Sequence, residues 1–176
     1  MKSISKKGLF LAQLVKVAGK IESEKLLAKM LCYIEKERGV VTGFRFDKNQ
    51  NYGNYTFEIK DEVKKLQEEG LINFKKEESL GLWGDTIKTH IFVATNKLKD
   101  IELDLTKKEK LAIKSIYREY SSYSPVEIGH YDHEIYRQGK SRTDIKIKNE
   151  ALKETRDLIS KHKGDKKSAL KEWLIK

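Results

Sequence analysis

The sequence predicts an α+β protein, a winged helix-turn-helix followed by a helical C-terminal extension. Three observations predict it. Apolar residues recur at helical spacing in three segments before residue 70. The third segment closes on Glu69-Gly70-Leu71-Ile72, with glycine where a left-handed closing residue belongs. Two alternating runs, residues 72–75 and 87–93, then supply the paired strands of a wing. The expected boundaries are 1–96 for the winged-helix domain, 97–105 for a linker and 106–176 for the helical region.

Leu11, Leu14, Val15 and Ala18 fit the i, i+3, i+4, i+7 template, so a first helix is expected over about 8–19. Ser23 is the natural N-cap of a second, with Glu24 in its first turn, and Gly39 closes it. Cys32 lies beside its apolar stripe of Leu26, Leu27, Met30, Leu31 and Ile34 and reads as a small packed side chain. Residues 40–46 read as a short strand with Val41, Phe44 and Phe46 inward. Asn54 is placed to cap the third helix, in which Tyr55, Ile59, Val63 and Leu66 share a face.

Gly81 and Gly84 mark the loop between the wing strands. Trp83 near its tip has two readings, a ring folded onto the core or an exposed partner contact. Thr106 with Glu109 is a capping box, which predicts a helix over about 107–120. Ser124-Pro125 suits an N-cap and first helical residue. Residues 139–148 are polar and basic, and two further helices are expected over about 150–163 and 168–175.

The 176 residues carry a formal net charge of +10 and one cysteine. One cysteine excludes an internal disulfide framework and points to a reducing, cytoplasmic setting. No run approaches the roughly 18 apolar residues of a membrane span, and no signal-peptide core is evident. Basic balance fits nucleic acid, an acidic protein partner or an anionic membrane surface, and selects none of them. Its distribution is uneven. Lys60, Lys64 and Lys65 face Glu58, Asp61, Glu62, Glu68 and Glu69 over residues 54–69, a net of two negative charges. A helix docked among phosphates should not be net negative. Positive charge collects instead in residues 1–38 and 140–176. The candidate phosphate contacts are therefore Lys6, Lys7, Lys16 and Lys20 with Lys161, Lys163, Lys166 and Lys167. The plainer reading of the same charge is a solvated surface.

Five of the eight tyrosines lie between residues 117 and 136. They suit a small helical core, or stacking on bases. His130 and His133 share a helical face, and a metal would need further ligands such as His90 or His162. That spacing lacks a His-Glu-x-x-His pattern or cysteine partners, so no metal or cofactor is expected. No glycine-rich phosphate loop or nucleophile elbow is present, and a non-enzymatic role follows.

Phe44-Arg45-Phe46, Tyr52-Gly53-Asn54-Tyr55, Phe57-Glu58-Ile59 and Glu69-Gly70-Leu71-Ile72 together resemble a prokaryotic winged-helix family distantly similar to SocA-like (Panacea) antitoxin domains. Asn54 and Thr56 stand where that family commonly has Pro and Ser. The likeness covers about residues 8–94 and implies a winged-helix fold. Two functions follow. The first is a regulatory nucleic-acid-binding module using the basic termini. The second is a protein-interaction module, of antitoxin or adaptor type, using the acidic third helix and Trp83. Nucleic acid, a protein and a second copy of the chain are the candidate partners; a membrane is not.

Overall fold

Ser5 opens the first helix, α1 (Lys6–Ala18), by accepting a hydrogen bond from the Gly8 N–H at 3.0 Å. The computed structural model describes residues 4–49, 53–80 and 86–136. The chain divides into two compact units, Met1–Gly129 and His130–Lys176. Lys161, Lys163, Lys166, Lys167, His162 and Trp83 lie outside the described residues.

The order in the first unit is α1, β1 (Lys20–Ile21), α2 (Glu24–Arg38), β2 (Asp47–Asn49), β3 (Gly53–Tyr55), α3 (Ile59–Glu68), β4 (Ile72–Leu80), β5 (Thr86–Ala94), α4 (Asn96–Asp100) and α5 (Lys107–Tyr120); the last described helix, α6 (Pro125–Tyr136), starts in the first unit and runs into the second. The fold class is α+β. Its main sheet is antiparallel and ordered β1-β5-β4; β2 and β3 form a separate hairpin.

Local signals account for most helix ends. Ser23 accepts from the Leu26 N–H, and Gly39 takes a left-handed φ of 61° while its N–H closes α2 on Glu35 and Ile34. The capping box of Thr106 and Glu109 is formed in both directions. Gly70, with φ 69°, ends α3, and Thr95 clips that end by donating to the Gly70 and Leu71 carbonyls, both at 2.9 Å.

Three local expectations are corrected. Asn54 does not cap α3: it pairs with Lys48 in the β2–β3 hairpin, and the helix starts at Ile59 with no side-chain cap. Strand pairing over 47–55 outcompetes helix extension there. Residues 40–46 are not a strand either. The Glu35 carboxylate accepts from the Thr42 N–H and hydroxyl at 2.7 and 2.6 Å, which bends the segment and leaves Val41 67% exposed. The strands after α3 are longer than the alternation indicates, with β4 reaching Leu80.

The core lies between the helices and the sheet, which buries Phe92 on one face and Ile91 on the other. Phe10, Leu11, Leu14 and Val15 of α1 are fully buried, as are Leu27, Met30, Leu31 and Ile34 of α2. α3 contributes Ile59, Val63 and Leu66, and the sheet Ile72, Ile91 and Phe92. α5 packs on α1 and α2 through Ala112, Ile113, Ile116 and Tyr120. The Tyr120 ring lies 4.9 Å from that of Tyr33, and its hydroxyl donates to Glu37 at 3.0 Å. Residues 97–105 carry most of α4 and bury Leu98, Leu103 and Leu105.

Candidate functional site

α3 and the β4–β5 hairpin enclose an open groove of about 270 Å³. The helical repeat puts Ile59, Val63 and Leu66 inward and leaves Lys60, Lys64 and Gln67 along the groove edge. The strand repeat of two does the same for the hairpin. Phe74 opposes Phe92, Lys76 opposes His90 and Glu78 opposes Lys88, so these six side chains share a face. Phe74 and Phe92, ring centres 5.2 Å apart, form the floor. Lys76 and His90 form the second rim.

Glu24 closes one end. Its carboxylate accepts a hydrogen bond from the Tyr55 hydroxyl and meets His90 Nδ1 at 2.8 Å. A carboxylate only accepts, so the proton of that contact sits on Nδ1. The cluster joins α2, β3 and β5. Beyond it the groove opens into a wider pocket of about 510 Å³ lined by Lys25, Tyr55, Phe57, Lys60, Lys88 and His90, among others.

The electrostatics differ from the bare count over residues 54–69. Glu58 lies before α3 and is drawn inward: Lys7 Nζ donates to it at 2.7 Å and the Arg45 N–H at 3.0 Å. The hydrogen bond from Lys7, then that from Arg45, holds its carboxyl below the usual carboxylate range. Glu62 is 5% exposed and accepts from Ser5 at 2.6 Å and Lys65 at 2.7 Å. That bond to Glu62 raises the Lys65 amine above its ordinary value. Lys60, Asp61, Lys64, Lys65, Gln67 and Glu68 are the exposed residues of α3. The outward face of the helix is thus weakly positive, and Lys60, Lys64 and Lys76 on the groove rims face one acid, Glu24, already engaged.

The lysines expected to contact phosphate in α1 and β1 each have an internal partner. Lys6 faces Glu109 of α5 at 3.7 Å, Lys7 binds Glu58, and Lys16 donates to the Ile101 carbonyl at 2.6 Å. Lys20 pairs with Glu22, whose hydrogen bond and charge raise its pKa. Lys7 and Lys16 lie about 13 Å apart along the α1 axis. The four therefore reach four different neighbours.

His130 is exposed on α6; the His133 side chain lies outside the described residues. No three His, Cys, Asp or Glu side chains converge to hold a metal among the described residues, and no described helix is long and apolar enough to cross a membrane. No family model, curated protein or solved structure matches the chain.

In the sequence, Glu24 reads only as a first-turn acid and His90 only as a spare metal ligand. Their meeting with Tyr55 spans 31 and 66 residues of chain. No local spacing signals it.

Proposed function

We propose that this chain is a non-enzymatic, regulatory nucleic-acid-binding protein with a winged-helix fold, and that its phosphate-facing surface is the groove between α3 and the β4–β5 hairpin. Topology supports the fold. A short strand lies between the first two helices, a third helix leads into a long hairpin, and the sheet order is β1-β5-β4. In that reading α3 is the helix before the wing, the usual reader of a groove.

One observation carries the function: the acids near α3 are engaged internally while Lys60, Lys64 and Lys76 line the open groove. Cations that no acid satisfies among the described residues favour phosphate, and each neutralised phosphate releases counterions. Contacts of this kind position the protein more than they read bases. Lys6, Lys7, Lys16 and Lys20 serve the fold in this account.

Binding of a labelled duplex of about 20 base pairs between roughly 50 and 200 mM salt tests it. Wild type should weaken steeply with salt, and a Lys60→Glu/Lys64→Glu variant should lose at least about tenfold affinity for any sequence, with a salt slope shallower by about two. No binding at the low-salt end removes the proposal. Asp61 and Glu68, exposed on α3, favour the second reading, a protein-interaction module of antitoxin or adaptor type docking on the same helix.

A further inference from the structure

We infer that the pocket at the Glu24 end of the groove receives an unpaired nucleotide of a single strand, its base stacked on Phe57 and its phosphate at Lys60; this rests on the nucleic-acid reading above. Phe57 is 54% exposed, one of three large apolar side chains left so open among the described residues. Unlike a lone apolar residue on a convex surface, it forms part of the wall of this concave pocket. Its ring meets that of Tyr55 edge-on, with centres 5.1 Å apart at 71°. Tyr55 is buried and held through its hydroxyl by Glu24, so Phe57 is braced on a fixed support. An exposed aromatic on a rigid base, beside cations, is what base stacking on single strands uses.

Charge agrees with this. Lys25 and Lys60 enter the same pocket, together with Lys88, which is paired with Glu78 at 3.3 Å. Its two acids are occupied: Glu22 by Lys20, and Glu24 by Tyr55 and His90. The volume of about 510 Å³ falls in the range of small-ligand sites. A base inside a duplex has both faces covered by its neighbours and cannot offer one to Phe57. An unstacked base can. Lys60 belongs to both the pocket and the groove, so a strand lying along Lys60, Lys64 and Lys76 would bring its end to Phe57.

The test compares a single strand of about 12 nucleotides, a flush duplex and adenosine monophosphate as probes of the full chain at about 50 mM salt. The variants are Phe57→Ala and Phe57→Tyr. Phe57→Ala should weaken the single strand about tenfold and leave the flush duplex unchanged, while Phe57→Tyr keeps near wild-type affinity for both. A 2-aminopurine at the strand end should be quenched by wild type and Phe57→Tyr but not by Phe57→Ala. Unchanged single-strand binding by Phe57→Ala overturns the inference while duplex binding keeps the broader reading intact. Tighter binding of the mononucleotide than of the oligonucleotide also overturns it. Absence of binding to both polymers removes the two together.

Discussion

Replacing Glu24 with alanine should destabilise the protein by about 3 kcal/mol. The carboxylate is the shared acceptor of the Tyr55 hydroxyl and His90 Nδ1, and its side chain is 11% exposed. A hydrogen bond to a charged group contributes roughly 1.5–3 kcal/mol, and water replaces part of that at the 28%-exposed His90. Tyr55 is buried, so losing this charged acceptor carries most of the cost. Losing an acid from the first turn of α2 adds a few tenths of a kcal/mol, nearly offset by the higher helix propensity of alanine. For a chain of this size the melting temperature should fall by about 6–12 °C, read by circular dichroism. Glu24→Gln keeps an acceptor and should lose less than half as much. Combining Glu24→Ala with Tyr55→Phe should be clearly less than additive, because both changes remove the same hydrogen bond. A fall under about 1 °C for Glu24→Ala, or simple additivity, would refute the shared-acceptor argument.

Two further changes probe the frame around the groove. Ser5→Ala removes both the N-cap of α1 and a donor to buried Glu62, and should cost about 2 kcal/mol in urea unfolding with an unchanged m-value. A loss below about 0.5 kcal/mol would mean that the α1–α3 tie is idle. The Glu58 carboxyl is held below its ordinary value of 4.5 by Lys7 and Arg45. A depressed carboxyl stabilises the fold above its unfolded pKa and loses that contribution as pH falls through the folded value. Wild type should therefore lose up to about 1 kcal/mol more than Glu58→Gln on acidification below pH 4.5, since the pair is one-third exposed; parallel stability profiles would contradict this.

What the sequence made legible was whatever is encoded within one turn of helix. Ser23, Gly39, the Thr106–Glu109 box and Ser124-Pro125 all stand at helix boundaries where local chemistry puts them. The apolar stripe of Tyr55, Ile59, Val63 and Leu66 is buried, although Tyr55 belongs to β3 and not to the helix. The misreadings share a cause. β1 is two residues long and exists because Lys20 and Ile21 find Val93 and Phe92, far along the chain. Asn54 is a good cap in isolation, yet hairpin pairing claims it. Glu58 and Glu62 count as surface charge in a linear tally, but Lys7, Arg45, Ser5 and Lys65 draw them inward. The groove's charge was illegible for the same reason as its Glu24 end: both are made by contacts between distant segments.

Two charge-reversal pairs compared side by side on one DNA duplex test the central claim most directly. Lys60→Glu/Lys64→Glu alters the groove, and Lys16→Glu/Lys20→Glu alters lysines already bonded to Ile101 and Glu22. The groove pair should lose at least about ten times more affinity than the other pair at roughly 100 mM salt. Equal losses, or a larger loss from Lys16 and Lys20, would contradict it and return the phosphate contact to α1 and β1.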